Sequence, residues 1–320
     1  MNLTESKREA QREVFGSYLS DLADEFTNIL VLDGDLANST RADIFAERQP
    51  DKFLEMGIAE QNMMGTAAGL ATVGFIPFIS TFAAFAVKRA ADQVRIVVAQ
   101  PNLNVKITGG YSGILTGKTG KTHQSVADLA VMRALPHMTV VAPADGNELR
   151  SVLRAACEHD GPWYIRLTRD PSPTIFDESY KFEPGKAVVL REGKDITIIS
   201  TGVQTVRALE AAEMLEGQGV SAYVLHVPCL KPLDEQAIIH AATATGLVVT
   251  AEDHSIIGGL GGAVAEVLGE NHPTPLARIG WQDTYGESAP DEPLLEKYGL
   301  TPRHVAEAAR RMIDARGRAE

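Results

Sequence analysis

The sequence predicts an α/β protein made of two parallel-sheet units. Short apolar runs of strand length alternate with stretches of helical period along the chain. Polar, glycine-containing loops follow several of these runs, and open parallel sheets collect their ligands at such places. Prolines at 171, 173 and 184 interrupt the alternation once, and the same pattern restarts beyond them. A chain of 320 residues has room for two domains, expected here at 1–180 and 187–320.

Composition narrows the function classes. With 44% hydrophobic and 22% charged residues, a packed core is expected rather than disorder. The net charge of −12 argues against nucleic-acid binding, so any anion site must be a local basic cluster. Cys157 and Cys229 have no metal-ligand spacing, no metal site is expected on the chain, and so few thiols point to a reducing, cytoplasmic setting. Met1–Arg12 lacks an apolar signal core. Glycine and proline break the longest apolar region, Met63–Phe85, so no membrane span is expected.

Residues 4–27 read as an amphipathic helix, with Val14, Tyr18, Leu22 and Phe26 recurring at helical spacing. Ile29–Leu32 is a buried strand that ends in the polar loop Asp33–Thr40, where Asp33 and Asp35 also suit ordinary turn chemistry. Glu60 opens the next helix. The helix dipole favours a carboxylate there, so a simple capping role competes with a functional one. Gly65 and Gly69 share a face of that helix and allow another backbone to approach, as at a subunit interface. Phe75–Ser80 is a strand, and Thr81 is expected to start a helix running to about Gln100. Phe82 and Phe85 face the same way on it, with core packing as the competing reading.

Strand Asn104–Thr108 leads into the glycine-rich loop Gly109–Gln124, which carries Lys118 and Lys121. It is not a nucleotide-binding P-loop: Ser112 and Leu115 stand where the two lysines would require glycine. His123 lies at the loop's end, before a helix that Ser125–Asp128 is expected to cap. Strand Thr139–Ala142, helix Gly146–Glu158 and strand Trp163–Thr168 follow, with Arg166 and Arg169 at the last strand's end. Residues 170–186 read as a linker. The second unit then has strands at 195–201, 221–227 and 246–252 and helices at 204–218, 234–244 and 260–269. Gly258–Gly262 is a tight turn, since Val264 replaces the last glycine of a dinucleotide fingerprint.

Four strings occur in a telling order: Gly57-Ile58-Ala59-Glu60-Gln61-Asn62; Ser80-Thr81-Phe82-Ala83-Ala84-Phe85; Thr122-His123-Gln124-Ser125 with Asp128-Leu129-Ala130; and Ala142-Pro143-Ala144-Asp145. Together they resemble the C-terminal half of transketolase, its thiamine-diphosphate pyrimidine-binding domain plus its C-terminal domain, over residues 25 to 315. The resemblance implies thiamine diphosphate as cofactor and transfer of a two-carbon ketol unit from a ketose phosphate to an aldose. Glu60 matches the glutamate that hydrogen-bonds N1′ of the aminopyrimidine, favouring the tautomer whose 4′-nitrogen can take the thiazolium proton. Phe82 and Phe85 match aromatics around that ring, and Asp35 an aspartate beside the cofactor. Ser39 and Arg169 match sugar-phosphate ligands, the arginine fork suiting phosphate. His123 matches a histidine that bonds substrate oxygens and helps proton transfer.

Three positions depart from the family. Its aspartate for the donor C2 hydroxyl falls on Thr119, its phosphate-side histidine on Tyr111, and the usual patch tyrosine at or near Lys88. The substrate is therefore expected to be an uncommon, branched or otherwise modified ketose phosphate. The Gly-Asp-Gly…Asn segment that holds the diphosphate through Mg2+ is missing, and Asp33-Gly34-Asp35 is the nearest string. The chain is thus expected to be one subunit of a split enzyme, inactive alone, with a partner carrying the metal site in an α2β2 assembly. Rival readings are the β subunit of a 2-oxo-acid dehydrogenase decarboxylase component, a deoxyxylulose-phosphate-synthase-like enzyme, and a non-catalytic dimeric binding protein.

Overall fold

The computed structural model describes residues 6–318. Strands of the first sheet lie in the order Cys229–Lys231, Thr139–Val141, Trp163–Arg166, Lys106–Gly110, Ile76–Phe82, Ile29–Asp33 and Phe53–Glu55. All neighbours are parallel except Cys229–Lys231, which pairs antiparallel with Thr139–Val141. Helices cover both faces, which explains the unbroken apolar runs: every residue of Ile76–Phe82 and Lys106–Gly110 is buried. Helix Gln11–Glu25 packs Val14, Phe15, Leu19 and Leu22 on one face together with Leu149, Val152 and Leu153 of helix Gly146–Glu158. Helix Glu60–Thr72 packs Met63, Met64 and Ala67 on the other.

The second sheet has the order Leu276–Trp281, Val248–Ser255, Ile196–Ser200, Ala222–His226 and Val188–Arg191, the last antiparallel. Helices Gln204–Glu216 and Pro302–Gly317 bury their alanine-rich faces on one side, and Glu235–Thr245 and Leu260–Asn271 cover the other.

Several expectations are corrected. The helix foreseen over 81–100 is not continuous. Thr81 and Phe82 finish the strand, and short turns at Ala83–Ala86 and Ala91–Gln93 precede a wide π-helical turn at Val94–Ala99. Ser125 caps nothing; it bridges to Ser112, and the helix begins at Asp128 after Ala127. The stretch 170–186 is no loose linker. Ser172–Pro173 pairs with Arg8–Glu9, and Ile175 and Phe176 donate their amides to Asp145 Oδ2 at 2.6 and 2.8 Å. Residues 4 and 5 of the foreseen first helix fall outside the described residues, and the helix itself starts at Gln11.

Two buried polar networks join the units. Glu148 Oε2 accepts from Ala144 N at 2.7 Å and from His226 Nε2 at 2.9 Å, and its Oε1 accepts from Tyr180 OH at 3.0 Å. In the second network, Arg166 donates to Asp128 Oδ2 at 2.8 Å and to the Asp253 carbonyl at 2.7 Å. Burial alone would push the Asp128 carboxyl up, but the Arg166 guanidinium outweighs it and the carboxyl ends below its usual value. Nearby, burial drives His254 down to about 4, in keeping with a neutral ring that accepts from Ala130 N and donates Nδ1–H to Ser255 O.

Candidate active site

The strands Ile29–Asp33, Ile76–Phe82, Lys106–Gly110 and Trp163–Arg166 run parallel, so their carboxyl ends share one edge of the sheet. That edge supplies most of the foreseen residues. Asp33 ends the first of these strands and makes the turn: its Oδ1 accepts from Leu36 N at 2.6 Å and its Oδ2 from Thr40 Oγ1 at 3.3 Å. Burial pushes its carboxyl up to about 6. Asp35 is exposed, in left-handed backbone at φ 62°, and its amide donates to Glu55 Oε1 at 2.9 Å.

Glu60 is the first residue of its helix and is 1% exposed. Its surroundings are not wholly apolar. Oε1 accepts from Arg89 Nη1 at 2.6 Å, whereas the buried Oε2 has no hydrogen-bond partner. A buried carboxylate oxygen left open is costly unless a bound donor completes it. Arg89 is itself braced: its carbonyl accepts from Gln61 Nε2 at 3.1 Å and its guanidinium lies 4.4 Å from the Phe85 ring centroid. Lys88 and Arg89 are both exposed, and it is the Arg89 guanidinium that lies against Phe85.

Beside Glu60's helix stands an aromatic wall. Phe82 stacks on Phe85 at 5.7 Å and on Tyr111 at 4.1 Å between centroids. His123 meets Phe82 and Phe85 edge-on at 5.9 and 5.4 Å. Its Nδ1 shares a hydrogen bond of 2.8 Å with Thr122 Oγ1. Thr119 lies in the tight turn Gly117–Thr119, where its hydroxyl donates to Thr116 O and Thr116 Oγ1 at 3.0 and 2.7 Å. The hydroxyl proton is used within its own turn, which leaves the oxygen to act only as an acceptor.

At the far side of Tyr111 lies a basic cluster. Arg12 Nη1 donates to Tyr111 OH at 3.0 Å and to the Ser39 carbonyl at 2.9 Å. The Arg12 and Arg169 guanidinium carbons lie 5.8 and 5.6 Å from the Tyr111 centroid, and both Nε atoms are buried without partners. A hydrogen bond to Tyr111 raises Arg169 above its already high value, so it stays charged. Ser39 donates Oγ–H to Asn38 Oδ1 at 3.2 Å. Two fixed cations, a phenol and a serine form an anion end that a tetrahedral oxyanion fits.

The structure thus brings Glu60, Phe82, Phe85, Tyr111 and His123 around one wall, with Ser39 and Arg169 next to it. Arg12 and Arg89 went unread in the sequence. Arg12 sits on the polar stripe of the first helix, and Arg89 behind a helix break that no proline or glycine marks. Among the described residues no group of His, Cys, Asp and Glu could hold a metal ion, and no helix is long and apolar enough to cross a membrane.

Residues 8–173 match the pyrimidine-binding domain of transketolase, and residues 185–305 match the transketolase C-terminal domain. The chain is 45% identical to a 6-deoxy-6-sulfo-D-fructose transketolase subunit of Clostridium sp. (strain MSTE9) over 303 residues, 95% of this chain and 94% of the relative. It is 36% identical to an apulose-4-phosphate transketolase subunit of Phocaeicola vulgatus (strain ATCC 8482), covering 94% of this chain and 96% of that one. Among solved structures it resembles a split-gene transketolase, described as an inactive beta4 tetramer. That match has a TM-score of 0.90 and 49% identity, covering 95% of this chain and 98% of the other.

Proposed function

The chain belongs to the transketolase family, and from that premise we propose how its residues share the work of ketol transfer. It is a subunit of a thiamine-diphosphate-dependent transferase that moves a two-carbon ketol unit from a ketose to an aldose acceptor. One observation carries the assignment of roles: the buried, unpartnered Oε2 of Glu60 beside the Phe82–Phe85 wall. When bound, thiamine diphosphate supplies the carbanion chemistry and the electron sink. Glu60 Oε2 holds the proton at N1′, while Arg89 on Oε1 fixes the carboxylate's orientation. Phe82 and Phe85 would hold the pyrimidine and keep water from it. Asp35, at the exposed rim, would stand beside the cofactor.

His123 moves a proton at the substrate oxygens, its ring held by Thr122 and the wall. Ser39, Tyr111 and Arg169, joined by Arg12, hold the anionic tail of the sugar. Thr119 lines the donor side without a carboxylate. The replacement of the family's aspartate and histidine supports an uncommon sugar, as do relatives named for 6-deoxy-6-sulfo-D-fructose and apulose 4-phosphate. Relatives named as transketolase subunits and matched along nearly their whole length support an N-terminal partner subunit that carries Mg2+ and the diphosphate. A relative described as an inactive beta4 tetramer fits a chain that self-associates and needs that partner, in an α2β2 enzyme. We place the assembly in the cytoplasm and the domain division at 180/187.

The test is to purify the chain with its partner and measure ketol transfer from sulfonated, branched and ordinary ketose substrates. Xylulose 5-phosphate as the most efficient donor would overturn the substrate reading. Activity of this chain alone would overturn the split-site reading.

A further inference from the structure

Gln11 is the first residue of helix Gln11–Glu25 and is wholly buried. A buried amide is costly unless it is hydrogen-bonded, and here both of its ends are engaged. Nε2 donates to the Pro143 carbonyl at 2.8 Å, and Oε1 accepts from Thr168 N at 2.9 Å and from Thr168 Oγ1 at 3.2 Å. Pro143 lies just beyond strand Thr139–Val141 and Thr168 just beyond strand Trp163–Arg166, so one side chain ties the start of the first helix to the carboxyl ends of two strands. The residue after Gln11 is Arg12, and the residue after Thr168 is Arg169. Successive Cα atoms are about 3.8 Å apart, so the tie also sets where both arginine side chains begin. Nearby, Arg8–Glu9 pairs with Ser172–Pro173, and Arg8 Nη2 donates to the Pro171 carbonyl at 2.9 Å. That ladder stops short of the arginines, and Gln11 makes the last bond before them.

We infer that Gln11 is the positioning residue of the anion end: its amide holds two distant backbone segments together so that Arg12 and Arg169 converge on the Tyr111 ring, at 5.8 and 5.6 Å from its centroid. The inference rests on the reading of these two arginines given above. Long side chains lose much rotamer freedom when they are held together, and a fixed backbone origin for each lowers that cost. The Gln11 amide is spent on this chain's own backbone and on Thr168, so it acts on the substrate only through the arginines. An apolar side chain of similar size would fill the same space, but it would leave the Pro143 carbonyl and the Thr168 amide without their partner and the two segments without their tie.

Two arms test this. In the reconstituted pair, Gln11→Met keeps the bulk and removes all the bonds of the amide. KM for an anionic ketose donor should rise roughly three- to tenfold with kcat within a factor of about two, while kcat/KM for an uncharged ketose stays within that same factor. Thr168→Val removes only the hydroxyl bond, and a rise of the same kind, about twofold, is expected from it even where Gln11→Met does not fold. In a background of Arg12→Ala with Arg169→Ala, Gln11→Met should raise KM no further, since it acts through those two residues. An equal loss with both donors, or a full additional rise without the arginines, is what a packing role would give and overturns the inference. The second arm uses this chain alone, with inorganic sulfate as the probe and calorimetry as the readout. Sulfate affinity should fall roughly three- to tenfold in Gln11→Met. An unchanged affinity, or no sulfate binding by the wild type, overturns the positioning role. If the pair showed no ketol transfer, the proposed function would fall, and the sulfate arm would still decide this inference.

Discussion

The Glu60 end and the arginine end of the site, proposed as its cofactor and anion ends, lie on either side of Tyr111 and are made differently. At the cofactor end one carboxylate is almost wholly buried, with one oxygen committed to Arg89 and the other open beside packed rings. At the anion end the groups are more numerous: two half-buried guanidiniums and a half-buried serine around a buried phenol. A single proton position admits no substitute, so Glu60 is kept at the first end even though the patch tyrosine there is replaced near Lys88. A distributed charge site tolerates exchange, so departures such as Tyr111 collect at the second. On the proposed roles, the contrast separates chemistry from recognition within one short stretch of sheet edge.

The sharpest way to break this contrast is Glu60→Gln. The amide keeps its size and can still accept from Arg89, but it cannot share a proton. In the reconstituted pair kcat should fall by about 10²-fold or more, the usual worth of a positioned acid–base group. Turnover that stays near the wild-type level would remove Glu60 from the chemistry. At the other end, the double change Arg12→Ala with Arg169→Ala removes charged hydrogen bonds worth about 1.5–3 kcal/mol each. KM for the anionic donor should rise roughly 100-fold or more, since two such bonds sum to at least about 3 kcal/mol, while kcat stays within a factor of about three. A collapse of kcat with unchanged KM would mean that the two ends are not separable.

A smaller effect probes the floor under the loop between them. Asp33 is raised on folding from 3.8 to about 6, so its stabilising contribution is present below pH 4 and is lost as pH rises through 6. An asparagine in its place could still meet Leu36 N and Thr40 Oγ1 without titrating. Relative to Asp33→Asn, the wild type should lose about 1–3 kcal/mol between about pH 4 and about pH 7, read by urea unfolding. No change across that range would mean that Asp33 is better solvated than its burial implies.

The parallel centres of both sheets were legible because buried strands are continuous apolar runs and their covering helices have a clear period. Short edge strands carry no such signal: Phe53–Glu55, Val188–Arg191 and Cys229–Lys231 have three or four residues each and are paired on one side only. The break between Phe82 and Val94 was hidden because alanine and valine suit every conformation found there. Within the site, Glu60, Phe82, Phe85 and His123 were readable because each lies in a short contiguous string. Arg12 was not, since its partners Ser39 and Tyr111 lie 27 and 99 residues away. The Glu148–His226 pair shows the same limit, for only folding brings residues 78 apart into one buried bond.

Strand Cys229–Lys231 belongs by chain position to the second unit, yet it completes the first sheet along Thr139–Val141. A fragment cut in the 170–186 stretch would therefore bare a row of unsatisfied amides and carbonyls on Thr139–Val141, an edge open to pairing with other chains. The two units are better regarded as one inheritance unit: a useful boundary for recombining this chain with its relatives lies outside both sheets, not at the proline-rich seam.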